Sequence, residues 1–181
     1  MLFRQITIVG VGLIGGSFAL AARRCGLAAR ITGWNEAASL ERALDLGVID
    51  EEEPSFDEGR VCDADLIYLA APVRGIVSFL REKGNLIKPG AIVTDAGSAK
   101  REICRAARAS LPPEVHFVGG HPMAGSHQTG VESANNTLFQ DAPYVLIEDE
   151  ERRADALNRV AQAVAAIGGR PVFLTAEEHD R

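Results

Sequence analysis

The stretch that most constrains this chain is Ile6-Thr7-Ile8-Val9-Gly10-Val11-Gly12-Leu13-Ile14-Gly15-Gly16. A β-branched apolar run breaks at a glycine, and a helical pattern follows through Ser17-Phe18-Ala19-Leu20-Ala21-Ala22. A buried strand, a tight turn and a helix N-terminus must therefore succeed one another within a few residues. In such a unit Gly10 permits the turn, Gly12 lets backbone approach a ligand, and Gly15 lets the helix pack close to the strand. The first helical N–H groups have no intrahelical acceptor, and the helix dipole adds about half a positive charge there. That end of the helix suits an anion, a pyrophosphate above all. A second strand, Arg30-Ile31-Thr32-Gly33-Trp34, ends at Asn35, 20 residues after Gly15, where a ribose-reading side chain belongs. The context predicts a dinucleotide site lined by Gly10, Gly12, Leu13, Ile14, Gly15 and Asn35.

The rest of the chain repeats the alternation. Strands are predicted over 65–70, 91–95, 115–118, 143–147 and 170–174, with helices over 36–46, 73–86, 99–110 and 152–167 between them. This pattern implies an α/β fold with a doubly wound, mainly parallel sheet of the Rossmann type. At 181 residues, 46% of them apolar, the chain suits one large domain, or one domain and the stub of another. Thr175, with Glu178 three residues on, has the pattern of a helix start. The expected division is a dinucleotide-binding domain over 1–174 and the start of a linker helix over 175–181. A net charge of −6 argues against nucleic acid or an anionic membrane as partner, and no apolar run approaches the length of a membrane span. Cys25, Cys62 and Cys104 fit no metal or redox spacing and suggest reduced thiols in a cytoplasmic setting. The acidic run 50–53 is expected to be a solvated surface.

In an open α/β sheet, ligands gather at the carboxyl ends of the strands. Ala70, Ala71 and Pro72 end one strand with a small, unreactive surface against which a ribose or nicotinamide can lie. Ser98 ends another; it can cap the helix expected from Ala99, contact a ligand, or do both. His121 follows a strand and two glycines and is held by Pro122. Imidazole titrates near neutral pH, so it can accept a hydroxyl proton while hydride leaves the same carbon. His127, in the same loop, could face substrate. His116 lies inside a strand and is expected to be structural, and His179 sits on the helix start near the end of the chain. No histidine pair has metal-ligand spacing on one helix, so no metal is expected.

The loop Gly119-Gly120-His121-Pro122-Met123-Ala124-Gly125-Ser126-His127-Gln128-Thr129-Gly130 resembles that of the prephenate/arogenate dehydrogenase family of tyrosine biosynthesis. The glycine turn, Thr94-Asp95-Ala96-Gly97-Ser98-Ala99-Lys100 and Glu178-His179-Asp180 agree with the same family. The resemblance implies NAD-dependent, or NADP-dependent, oxidative decarboxylation of prephenate to 4-hydroxyphenylpyruvate or of arogenate to tyrosine. In it, His121 matches the catalytic histidine that accepts the proton of the ring C4 hydroxyl. Ser98 matches a serine that orients that histidine and the hydroxyl, and Ser126 matches a substrate-contacting hydroxyl. Many prephenate-preferring members carry an acid where this chain has His127, which leaves substrate preference open. Asn35 stands where NAD-specific members usually have Asp; with Glu36 beside it and no Arg following, NAD is favoured over NADP. The family also has a helical second domain that forms the homodimer and supplies cations for the substrate carboxylates. Without that domain, the chain is expected to bind cofactor with weak or absent turnover. Two other readings remain: a related 3-hydroxy acid or imine dehydrogenase, and a non-catalytic nucleotide sensor.

Overall fold

β1 (Phe3–Val9) is the strand on which the sheet is built, and its interior residues are buried on both sides. The computed structural model describes residues 1–125, 128–148 and 154–181. From β1 the chain runs through α1 (Leu13–Arg24), β2 (Ala28–Trp34), α2 (Ala37–Asp45) and the two-residue β3 (Glu51–Glu52). It then returns to the other side of β1 through β4 (Leu66–Leu69), α3 (Val73–Lys83), β5 (Ile92–Asp95), α4 (Lys100–Ser110) and β6 (His116–Val118). All pairs in this sheet are parallel, in the order β3-β2-β1-β4-β5-β6. The direction of winding reverses between β1 and β4, which opens a crevice at their carboxyl ends.

Alternate residues of each strand feed two separate cores. Ile8, Leu66, Tyr68, Ile92 and Val118 pack on one face with Phe18 and Ala19 of α1 and Leu40 of α2. Val9, Ile67, Leu69, Val93 and Phe117 pack on the other with Ile76, Phe79 and Leu80 of α3 and Ile103 of α4. Strands covered on both faces are largely apolar, which is why their sequence shows little alternation. Phe18 lies flat on Tyr68, ring centroids 3.9 Å apart, a stack contributing about 1 kcal/mol beyond its buried area.

The remaining elements depart from a single doubly wound sheet. β7 (Gly120–Pro122), β8 (Pro143–Ile147) and β9 (Arg170–Leu174) form a separate three-stranded sheet, with α5 (Ala154–Ala166) between the last two. β7 is antiparallel to β8, and β8 is parallel to β9. The cause lies at Gly119-Gly120, where the chain turns away from β6 instead of continuing it. The Gly120 amide is taken by the Asp95 carboxylate (3.0 Å), and the Gly119 carbonyl accepts from Ile147 N–H (2.8 Å). A Cβ on Gly120 would stand 2.6 Å from the Asp95 carbonyl oxygen, so only glycine fits that close approach. The two sheets meet in the core, where the Tyr68 and Tyr144 hydroxyls share a 3.0 Å hydrogen bond.

The acidic run is not wholly a solvated surface. Asp50 accepts the Ile31 N–H (2.8 Å), and Glu53 is buried. Its carboxylate accepts from Gln5 Nε2 (3.1 Å) and Thr32 Oγ1 (3.4 Å), partners brought from β1 and β2 that make its burial tolerable. α6 (Ala176–His179) begins with the expected capping box between Thr175 and Glu178. Among the described residues no helix is long and apolar enough to cross a membrane.

Candidate active site

At the carboxyl end of β1 the backbone turns at Gly10, whose φ is +92°. A Cβ there would lie 2.7 Å from the Ala70 carbonyl oxygen, so both dihedral and contact demand glycine. Gly15 is enclosed as tightly: a Cβ would meet the Gly10 oxygen at 2.1 Å and Ile8 Cγ2 at 2.9 Å. Gly12 is the opposite case, because nothing lies within 4 Å of where its Cβ would be. Gly12 is also the N-cap of α1, which has no side-chain cap and no acidic residue in its first turn. The amides of Leu13, Ile14 and Gly15 thus head a 12-residue helix beside open space, an arrangement suited to an anion.

The other expected cofactor residues stand along the same edge of the sheet. Val9 is paired with Trp34 and with Leu69, so Asn35 and Ala70 flank Gly10 on either side. Asn35 is half-buried. Ala70 donates its N–H to the Val9 carbonyl (2.7 Å), and Pro72 is the N-cap of α3. The residues that fold into one place here come from three strands.

Ser98 follows β5 in the loop before α4 and is exposed. It does not cap that helix. Ala99 occupies the N-cap position, and the free amides of Lys100 and Arg101 donate instead to Asp180 Oδ1 (2.8 Å) and Oδ2 (2.9 Å). A carboxylate suits this position better than a hydroxyl, since it takes two amides at once and complements the helix dipole.

His121 lies inside β7, opposite Val145 of β8, rather than in the loop beyond a strand. Its Nδ1 is 2.9 Å from Nε2 of His179, and Nδ1 of His179 is 2.7 Å from Asp180 Oδ1. The proton positions follow from donor and acceptor types. An ionised carboxylate only accepts, so Nδ1 of His179 carries a proton. With both rings neutral, Nε2 of His179 then accepts, and Nδ1 of His121 must donate to it. Nε2 of His121 is left with its lone pair available as a base. Burial, then the Lys100 ammonium and His179, hold His121 below the ordinary histidine value, against the opposing pull of Asp95 and Asp180. Asp180 is held below the usual carboxylate range: burial opposes this, and the hydrogen bonds from Arg101, His179 and Lys100 outweigh it.

His179 and Asp180 were not among the candidates that residue spacing singled out. The signal available was the capping box, which places them at the end of a short helix, but not the helix against α4. Ser126 and His127 lie outside the described residues.

A family model described as "Prephenate dehydrogenase, nucleotide-binding domain" matches residues 18–173. Prephenate dehydrogenase of Bacillus subtilis is 37% identical over 177 residues, covering 97% of this chain and 47% of that protein. Among solved structures, prephenate dehydrogenase from Aquifex aeolicus, in complex with hydroxyphenyl propionate and NAD+, superposes with a TM-score of 0.90 at 32% identity. That match covers 98% of this chain and 62% of the other. Synechocystis arogenate dehydrogenase superposes with a TM-score of 0.87 at 31% identity, over 97% of this chain and 61% of the other. The chain therefore spans about half the length of the Bacillus relative and about three fifths of the two solved chains.

Proposed function

The chain belongs to the prephenate dehydrogenase family, in its nucleotide-binding domain, and on that premise we propose that it serves the NAD-dependent oxidative decarboxylation of prephenate or arogenate. The observation that carries this reading is the hydrogen-bonded series His121–His179–Asp180, which leaves an unprotonated nitrogen on an imidazole whose preceding residue, Gly120, is held by Asp95 at the carboxyl end of β5.

The residues divide the work by chemistry. Leu13, Ile14 and Gly15 offer N–H groups to the pyrophosphate at the head of α1, with the bare Cα of Gly12 admitting it closely. Asn35 hydrogen-bonds the adenosine ribose, and Ala70, Ala71 and Pro72 form a surface that a ribose or nicotinamide can lie against. Bound NAD supplies the hydride acceptor. Nε2 of His121 accepts the C4 hydroxyl proton as the carbinol carbon gives up its hydride, leaving a C4 ketone. Loss of the ring carboxylate as CO2 sends its electron pair through the ring to the C4 oxygen, which takes back a proton as the phenol and completes aromatisation. Ser98 and Ser126 provide hydroxyls to the substrate, Ser98 also orienting His121, and His127 contributes to the choice between prephenate and arogenate.

Steady-state kinetics of the intact protein with prephenate and arogenate, each with NAD and NADP, tests this directly. Turnover of at least one of the two with NAD is expected; reaction with neither would overturn the reading, as would a preference for 3-hydroxy acids or imines. Asn35 does not repel a 2′-phosphate, so some use of NADP is expected. Asn35→Asp adds that repulsion and is expected to raise the NAD-over-NADP ratio of kcat/KM by about tenfold. An unchanged ratio would remove Asn35 from the ribose site.

A further inference from the structure

Lys100 and Asp95 are both wholly buried, and their side chains are paired. A buried ion pair is weak evidence for stability, because apolar groups of similar size often serve the fold as well. The hydrogen bonds of this pair have a direction. The Lys100 ammonium donates to Asp95 Oδ2 and to the Gly120 carbonyl (2.6 Å). Asp95 accepts the Gly97 N–H on Oδ2 (2.8 Å) and the Gly120 N–H on Oδ1 (3.0 Å). Both backbone polar groups of Gly120 are thus gripped by the pair, and Gly120 directly precedes His121.

The same lysine reaches His121 by a second route. Its own amide N–H donates to Asp180 Oδ1, the oxygen that also faces Nδ1 of His179. His179 in turn holds Nδ1 of His121. One residue therefore anchors the histidine from its backbone side, through Gly120, and from its ring side, through Asp180 and His179. A lysine that only filled space would need neither link.

We propose that Lys100 is the positioning residue for His121, its ammonium clamping Gly120 while its amide anchors the Asp180–His179 pair that orients the ring. This rests on the reading of His121 as the base of the reaction. Among the described residues, the charged and titratable groups facing His121 are Lys100 from α4, Asp95 from the end of β5, and His179 and Asp180 from α6 and the residue after it. Lys100 opposes the imidazolium more strongly than Asp95 favours it. Removing the pair together is therefore expected to raise the pH at which His121 protonates.

The test uses the intact protein and two variants, Lys100→Met and the charge-free double variant Asp95→Asn/Lys100→Met. The single change strands a buried carboxylate and can fail to fold; the double change leaves no uncompensated charge. Four readouts are taken: kcat, KM for NAD, thermal midpoint, and titration of His121 by NMR of 15N-labelled histidine. In the double variant kcat is expected to fall about 30-fold, less than the roughly 10²- to 10⁴-fold that loss of a general base itself costs, with KM for NAD unchanged. His121 is expected to titrate at higher pH, and the acid limb of kcat to move up with it. An unmoved titration, whether kcat stays at the wild-type level or falls only in step with thermal stability, would overturn the proposal. The wild-type spectrum decides independently of any variant: His121 protonated on Nε2 rather than Nδ1 when neutral would overturn it too. If the wild type turns over neither substrate while the His121 titration still shifts in the double variant, the proposed function falls and the positioning role stands.

Discussion

His121→Asn in the intact protein is expected to lower kcat about a thousand-fold while leaving the affinity for NAD within about twofold of wild type, since it removes the proton acceptor and nothing that grips the nucleotide. Asparagine keeps a polar group of similar reach, so β7 and its pairing with β8 should persist. The pH profile of the wild type carries the same information with its sign determined. The base acts when neutral, and burial together with Lys100 holds its pKa below the ordinary value. Activity is therefore expected to be level through neutral pH and to fall only as pH drops below about 6.5, the ordinary histidine value. Rates and nucleotide titrations on the two proteins check both statements. Equal turnover by His121→Asn would transfer the base role elsewhere.

A second pair of substitutions separates fold from ligand at the glycine turn. In Gly15→Ala the new methyl would lie 2.1 Å from the Gly10 carbonyl oxygen and 2.9 Å from Ile8 Cγ2, so α1 must shift away from β1. Overpacking of this kind costs about 3 kcal/mol, which for a chain of this size lowers Tm by about 10 °C. Gly12→Ala meets nothing within 4 Å, and Tm should stay close to wild type. Its methyl would occupy the space through which a pyrophosphate approaches, and NAD affinity is expected to fall at least about tenfold. Thermal denaturation and NAD titration of both variants decide it. Full NAD affinity in Gly12→Ala would place the nucleotide elsewhere.

The parts of this molecule that were legible in the sequence are those written in local patterns. The glycine turn announces itself because Gly10 answers to its own positive φ and Gly15 to contacts a few residues back, at Ile8 and Gly10. The strands of the parallel sheet show as unbroken apolar runs because both faces are covered. The separate β7–β8–β9 sheet was not legible, since residues 143–147 and 170–174 are equally good strands for either sheet. What assigns them is the turn at Gly119-Gly120, held by a carboxylate 25 residues earlier in the chain. Glu53 and Lys100 escaped for a related reason. A charged residue is normally exposed, and what makes its burial tolerable is supplied from elsewhere in the chain, Gln5 and Thr32 for one and Gly120, beside the nearer Asp95, for the other. Ser98 looked like a helix cap because a hydroxyl at a strand end before a helix usually is one. The cap came from 80 residues away.

That remote cap has a consequence for how the two halves of the proposed hydride-transfer reaction are distributed along the chain. On the proposed reading, the nucleotide surface is drawn largely from residues 10–35, with a short contribution at 70–72. The tautomer of His121 depends on His179 and Asp180, at the opposite end of the sequence, through contacts that no other segment duplicates among the described residues. On that reading, changes confined to residues 178–180 would spare the nucleotide surface but free the His121 ring from the partner that fixes its tautomer. On the proposed reading, nucleotide recognition and chemical competence are thus separable in this fold, because changes at one short helix reach the histidine and not the glycine turn.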